Sequence, residues 1–204
     1  MGKQKCQSSQ RWARCLTFAV VLFGLCTSGC DDDVGFALSL QPIYSEADLV
    51  LDSHLNGTWT DKDGDVTFNF QQTEGNVYKL VVTENEGGKE SSAEFQAHLI
   101  RLGAHLFVDA LPETSPNGSA FLLMHVLRAH SIARLEFTGD TMEMAFFNAA
   151  WLKKKSVDIS SQNVDGTLLL TGTTEEVQNL LYLHENDDDD FLEPISLTRQ
   201  ELQP

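Results

Sequence analysis

The sequence predicts a mainly β domain in which an antiparallel meander of approximately eight strands closes into a barrel. Between Gly57 and Asn148, short runs rich in Val, Phe, Leu and Thr alternate with turn signals at close intervals. Most of these signals are Gly-containing pairs, such as Asp63-Gly64 and Gly87-Gly88, which suit tight hairpins. Eight strands joined by short turns can close on themselves, which removes the exposed edges of an open sheet.

The predicted strands follow one another along the chain. They cover residues 57–60, 65–71, 77–83, 92–102, 104–111, 120–130, 132–138 and 142–147, and a further strand is expected over 166–171. Alternation within 92–102 places Ala93, Phe95, Ala97 and Leu99 inside, and leaves Glu94, Gln96 and His98 in solvent. The run 121–127 is nearly continuous in apolar residues, which indicates a strand covered on both faces.

Three helices are expected around this sheet. Ser45 and Asp48 form a variant capping box that predicts a short helix over 45–56. Residues 148–155 form a short amphipathic segment with Trp151 and Leu152. A stronger helix begins at the capping box of Thr173 and Glu176, and its apolar residues recur at helical spacing. We expect the C-terminal helices to pack outside the barrel.

The stretch Gly57-Thr58-Trp59 resembles the Gly-x-Trp motif of lipocalins and related small barrels, in which the tryptophan closes one end. The resemblance implies a lipocalin-like barrel and assigns Gly57 and Trp59 to that closure. An ordinary core tryptophan in an unrelated β-sandwich is the alternative. Nine aromatic residues are available to fill the interior: Phe68, Phe70, Tyr78, Phe95, Phe107, Phe121, Phe137, Phe146 and Phe147. A filled core is expected, and a ligand-sized apolar cavity lined by the same residue types is the alternative.

The stretch from Leu16 to Cys30 predicts export from the cytoplasm. An apolar run of about ten residues follows four basic residues and gives way to small residues, which is the layout of a cleavable signal over 1–29. The run is too short for a membrane span, which needs about twenty apolar residues. An ordinary secretory signal would leave Cys30 as a free thiol or remove it. Myristoylation at Gly2 is a weaker alternative, because Cys6 stands where that motif needs Ser or Thr.

The segment Thr27-Ser28-Gly29-Cys30 resembles the lipobox of bacterial lipoproteins, although Thr27 stands where leucine is preferred. The resemblance implies acyl chains on Cys30 that hold the chain on a membrane, facing the periplasm or the exterior. Asp31, Asp32 and Asp33 resemble a signal for inner-membrane retention in enteric-type bacteria. Residues 30–44 are then expected to be an acidic spacer, and 45–204 a single domain with an acidic tail.

The exported part is strongly acidic and has no disulfide of its own. Beyond residue 30 the chain keeps ten Lys and Arg against 30 Asp and Glu, a balance of −20. Such a surface repels nucleic acid and other polyanions. All four cysteines lie at or before Cys30, so the domain must be stabilised by its core.

No catalytic motif is present: the sequence lacks G-x-S-x-G, H-E-x-x-H, C-x-x-C and a phosphate-binding glycine loop. Three weaker clusters remain. His98 and His105 flank a predicted turn and could share a metal, but two histidines without a clear third ligand rarely form a site. Residues 61–65 start like a calcium loop, but Val66 replaces its glycine, which favours a hairpin turn. Residues 185–193 are an acidic run that favours a solvated turn over loose calcium binding.

Together these features predict a non-catalytic envelope lipoprotein without a cofactor or resident metal. Its barrel is expected to bind an apolar small molecule or another envelope protein. A structural subunit that docks through its C-terminal helix is the second hypothesis. A hydrolase with a dispersed site is the third, with His98, His105, Asp109 and His125 as its candidate residues.

Overall fold

The hydrogen-bond register joins eight strands into a closed antiparallel barrel. The computed structural model describes residues 35–113, 126–155 and 158–200. The signal segment, Cys30, Phe121 and His125 lie outside the described residues, so the predictions made for them stay predictions. None of the helices in the described ranges is long and apolar enough to cross a membrane.

The elements follow the chain in this order: β1 Leu38–Ser39, β2 Gly57–Asp61, β3 Val66–Gln72, β4 Tyr78–Glu86, β5 Lys89–Leu102, β6 His105–Pro112, β7 His130–Thr138, β8 Thr141–Phe146, α1 Ala149–Lys155, β9 Ser161–Val164, β10 Thr167–Leu170, α2 Thr174–His184, a 3₁₀ turn Asp188–Asp190, and β11 Ile195–Arg199. The barrel consists of β2 to β8 and β11, and β11 pairs with both β8 and β2. Outside it, β1 pairs with β7 and with β10, and β9 forms a hairpin with β10. The predicted antiparallel barrel is therefore confirmed.

The strand that closes the barrel was not predicted. Residues 195–199 were expected to be part of a tail, but they form β11, in which Leu197 is fully buried. The strand expected over 120–130 has no counterpart in the described residues 126–129, which are irregular, although His130 begins β7. Val126 and Leu127 are 49% and 69% exposed, so the expected cover over their side chains is missing there.

The chain before β2 also differs from the prediction. No helix forms over 45–56, because the backbone pairs with β5 instead: Val50 N–H donates to Leu99 O at 2.9 Å, and Leu49 bridges Ile100. Asp48 still accepts hydrogen bonds from the backbone and hydroxyl of Ser45. Residues 36–44, expected to be part of a spacer, belong to the domain, because β1 is paired on both sides and Ile43 is fully buried.

A second apolar layer covers one side of the barrel. Helix α2 begins as predicted, with Thr173 and Glu176 capping each other's backbone N–H groups, and buries Val177, Leu180 and Leu181. Trp151 and Leu152 of α1 join the same cluster, together with outward residues of the barrel such as Ile100, Phe107 and Phe147. Phe107 and Phe147, expected to fill the interior, therefore lie outside it. This layer also buries His98, which alternation had placed in solvent.

Replacing Leu197 with alanine tests whether β11 is part of the core. Leu197 is fully buried, so Leu197→Ala should lower the free energy of unfolding by about 2–5 kcal/mol, the usual loss for a buried leucine. Ser196→Ala, at an exposed position of the same strand, is the matched control and should change it by less than about 0.5 kcal/mol. Urea denaturation measures both, and equal midpoints for the two variants would contradict the role assigned to β11.

Candidate functional site

The barrel interior is filled by apolar side chains. Cross-strand partners share a face, and most of the residues directed inward are at most 7% exposed: Trp59, Phe68, Phe70, Tyr78, Leu80, Val82, Ala97, Leu99, Val108, Ala110, Ala133, Leu135, Met142, Met144, Phe146 and Leu197. A cavity wide enough for a ligand would leave the side chains that line it accessible to water, and these are not. Five further inward residues are half-buried: Ala93, Phe95, Leu106, Phe137 and Ile195.

Trp59 lies at the end of the barrel where β2 begins. Its indole N–H donates to Leu55 O at 3.0 Å, and the Arg199 guanidinium lies over its ring, 4.4 Å from the centroid. Arg199 also donates to the carbonyl oxygens of His54 and Asn56. Gly57 has φ +127°, and a Cβ there would lie 3.0 Å from an Arg199 nitrogen. The Gly-x-Trp segment is thus packed beneath a side chain from the last strand, a contact that no local sequence pattern indicates.

A buried carboxylate holds the segment before β2 against the outside of the barrel. Asp109 is fully buried; one oxygen lies 2.5 Å from His130 Nδ1, and the other accepts the N–H of Ile43 at 2.9 Å. His98, the cross-strand partner of Asp109, donates Nδ1–H to Asn76 O at 3.1 Å and packs on the Tyr44 ring. Burial lowers the pKa of His98, and burial together with the charge of Asp109 raises the pKa of Tyr44.

The structure brings together only part of the set considered for a hydrolase. Asp109 and His98 are neighbours, but the imidazole paired with Asp109 is His130, which sequence reasoning missed because it lies 21 residues away on another strand. A carboxylate and imidazole pair can serve as a general base. Within the described ranges, however, no hydroxyl is hydrogen-bonded to His130; the nearby Ser39 hydroxyl donates to Gln41 O instead. Asp109 and His130 thus form a buried pair whose second carboxylate oxygen holds the backbone of Ile43.

His98 and His105 do not form the suggested metal site. Both face outward, but His98 is paired with Asp109 and His105 with Leu102, so they lie four residues apart along the hairpin. His105 lies beside Asn186 and Glu136. Across the described parts of the chain, no group of three or more His, Cys, Asp or Glu side chains could hold a metal ion. Residues 61–65 form the β2–β3 hairpin turn, in which Asp61 accepts the N–H of Val66.

The acidic run after α2 is only partly solvated. Arg134 of β7 donates to Glu185 O at 2.8 Å and to Asp188 at 2.7 Å, and lies over the Phe191 ring. Asp190, expected in solvent, is fully buried, 2.7 Å from His184 Nδ1. His184 is the one polar contact of this carboxylate among the described residues, and its other oxygen, Oδ1, is buried without a hydrogen-bond partner there. Burial raises the pKa of Asp190, and Asp187 adds to the effect, while His184 and Lys155 oppose it.

Two shallow depressions lie on the outer surface. One, of about 590 Å³, has carboxylates around Arg134 and Phe191. The other, of about 800 Å³, lies beside Gly57 and Arg199 and carries the carboxamides of Asn56, Asn69, Gln71, Gln72 and Gln200. Asn69 already donates to Thr58, and Gln200 to Thr60.

No protein-family model, curated protein or solved structure matches this chain. Function must therefore be argued from its sequence and geometry.

Replacing Asp190 with asparagine tests the cost of burying its charge. Because the folded pKa of Asp190 is raised, its contribution to stability is present below the unfolded value of about 3.9 and is lost as pH rises through the folded pKa. Asp190→Asn should therefore be more stable than the parent at neutral pH, and the difference should shrink toward pH 3. Thermal denaturation across this range measures it.

Asp189→Asn, an exposed change in the same 3₁₀ turn, is the control and should follow the parent at every pH. An Asp190→Asn protein less stable than the parent at neutral pH would show that the His184 ion pair outweighs the burial cost.

Proposed function

We propose that this protein is a bacterial envelope lipoprotein, held on a membrane by acyl chains on Cys30, whose barrel is a non-catalytic binding domain for another envelope protein. The observation that carries the proposal is the layout of residues 16–30: a short apolar run after basic residues, then small residues and a cysteine. The cysteine-free domain that follows suits a chain whose one retained thiol is consumed by the anchor.

Binding through the outer surface is favoured by the filled interior. Trp59, Tyr78 and Leu99 are fully buried, so an apolar ligand would have to displace core side chains. The half-buried Phe95 keeps a small apolar ligand beside it as the alternative. A lipid retained by the exported chain in native mass spectrometry would favour this alternative.

Labelled palmitate tests the anchor. The parent chain expressed in a bacterial host should incorporate the label and fractionate with membranes, because two or more acyl chains give stable attachment. Cys30→Ala should lose both properties. Cys26→Ala, four residues earlier in the apolar run, is the control and should keep them. A Cys30→Ala protein that still carries label and stays with membranes would refute the assignment of Cys30.

A second candidate function is an accessory subunit that docks through α2. Two consecutive residues of this helix, Tyr182 (57%) and Leu183 (75%), expose large side chains to solvent. Exposed apolar surface of this kind marks interaction sites, because a partner would cover it. Deleting the chain from Thr173 onward would also remove β11, so point substitutions are the suitable test.

Cross-linking in the host envelope tests whether α2 contacts a partner through Tyr182 and Leu183. Tyr182→Ser/Leu183→Ser should reduce cross-linked partner at least tenfold, because tyrosine is enriched among the few residues that contribute most of the binding energy of an interface. Glu175→Ser/Asn179→Ser, exposed on the same helix, should leave it unchanged. Undiminished cross-linking in the first variant would eliminate α2 as the docking element, and circular dichroism checks that both variants fold.

A further inference from the structure

Positive charge is unevenly distributed over the exported chain. Of its ten Lys and Arg residues, three are consecutive, Lys153, Lys154 and Lys155, in the last turn of α1. All three are exposed. The other seven are dispersed: Lys62, Lys79, Lys89, Arg101, Arg128, Arg134 and Arg199. The basic turn, as we call Lys153–Lys155, is therefore a local positive region on an acidic protein.

This basic turn belongs to the helix that lies where the chain enters the domain. Gly35 O accepts the N–H of Ala149, the first residue of α1, at 3.1 Å. The next residue, Phe36, bridges Asn148, and Ala37 N–H donates to Phe147 O at 2.8 Å. The start of α1 is thus fixed directly to the first described residue of the chain.

The covalent distance from Cys30 to this point is short. Residues 31–34 alone separate Cys30 from Gly35, so the five Cα-to-Cα steps span at most about 18 Å. Helix α1 has seven residues and is therefore about 10 Å long. An acylated Cys30 would therefore hold the domain close enough to the membrane for the basic turn to reach the lipid headgroups.

We propose that the basic turn rests on anionic lipid headgroups and thereby sets the orientation of the domain on the membrane. The inference rests on the lipid anchor proposed above. Each lysine near an anionic leaflet shifts the equilibrium about fivefold toward contact. Acidic groups farther away than the Debye length of about 8 Å are screened, so contact is opposed mainly by the carboxylates nearest to the lysines.

Several nearby carboxylates compete for the lysines. The 3₁₀ turn Asp188–Asp190 lies against α1, and its Asp188 and Asp189 side chains are exposed. Lys155 lies close enough to Asp190 to lower the pKa of that carboxyl group, so part of the lysine's attraction is already directed at the protein itself. Asp31, Asp32 and Asp33 lie in the short linker itself. If the lysines pair with this linker instead of lipid, the position of α1 will not depend on the charge of the membrane, and the experiment separates these cases.

A single fluorescent label measures how close α1 is to the lipid. Since all native cysteines lie at or before Cys30, Ala150→Cys supplies one reactive thiol on an exposed position of α1 in the mature acylated protein. Glu74→Cys, in the turn between β3 and β4 at the barrel end opposite the exit of β8, is the control label. Both proteins are reconstituted in phosphatidylcholine vesicles with or without phosphatidylglycerol, and quenching by nitroxide-headgroup lipid is recorded.

We expect quenching at position 150 to be severalfold stronger with phosphatidylglycerol than without it, and to exceed quenching at position 74. Lys154→Glu/Lys155→Glu should reduce it to the value in neutral vesicles, whereas Lys62→Glu/Lys89→Glu, an equal charge change at exposed turns, should not. Lys153 is left in place because its side chain has a further contact.

The proposal would be wrong if quenching at position 150 were the same with and without phosphatidylglycerol, or if both charge-reversal variants reduced it equally. Either result would leave the assignment of the anchor intact. Failure of the anchor is recognised separately, because the parent protein would then not remain with the vesicles at all, and Cys30→Ala would behave as the parent does.

Discussion

The barrel depends on the pairing of its last strand with its first. β11 hydrogen-bonds to β8 on one side and β2 on the other, so five residues near the C-terminus complete a sheet that otherwise has two open edges. Leu197 contributes to the core from this strand, and Arg199 covers Trp59 and holds the carbonyls that precede β2. The same short strand therefore completes the hydrogen bonding, the packing and the cover over Trp59.

The outer layer depends on polar contacts buried beneath apolar ones. Asp109 accepts the backbone N–H of Ile43, and Gln178 of α2 donates to Ile43 O and to Asp48. Hydrogen bonds from Ser45 and Gln178 lower the pKa of Asp48, so its carboxylate is ionised across the neutral range. The segment before β2 is thus attached both to the barrel and to α2, which explains why residues 36–44 are ordered parts of the domain.

The sequence predicted the helices and hairpins that are determined by residues close together in the chain. The hairpins of β2 to β6 follow from Gly-containing turns and alternating residues, and α2 follows from the Thr173–Glu176 capping box, so these were predictable. The helix expected over 45–56 does not form because Val50 and Leu49 pair with β5, a competing long-range interaction.

β11 was missed because Leu197 is its one fully buried residue and an acidic run precedes it. His130 was missed for a related reason, since its pairing with Asp109 depends on the register of two strands. Cys30 lies outside the described residues and stays a prediction.

The position of β11 also constrains when the domain can fold. Gln200 and Thr60 are hydrogen-bonded across 140 residues of chain, so closure needs contacts between the two extremes of the domain. Interactions this distant in sequence form slowly, because the whole intervening loop must be ordered first. During synthesis β2 to β8 leave the ribosome before β11, so the barrel cannot close until β11 has been made, and the edges of β8 and β2 stay unpaired until then.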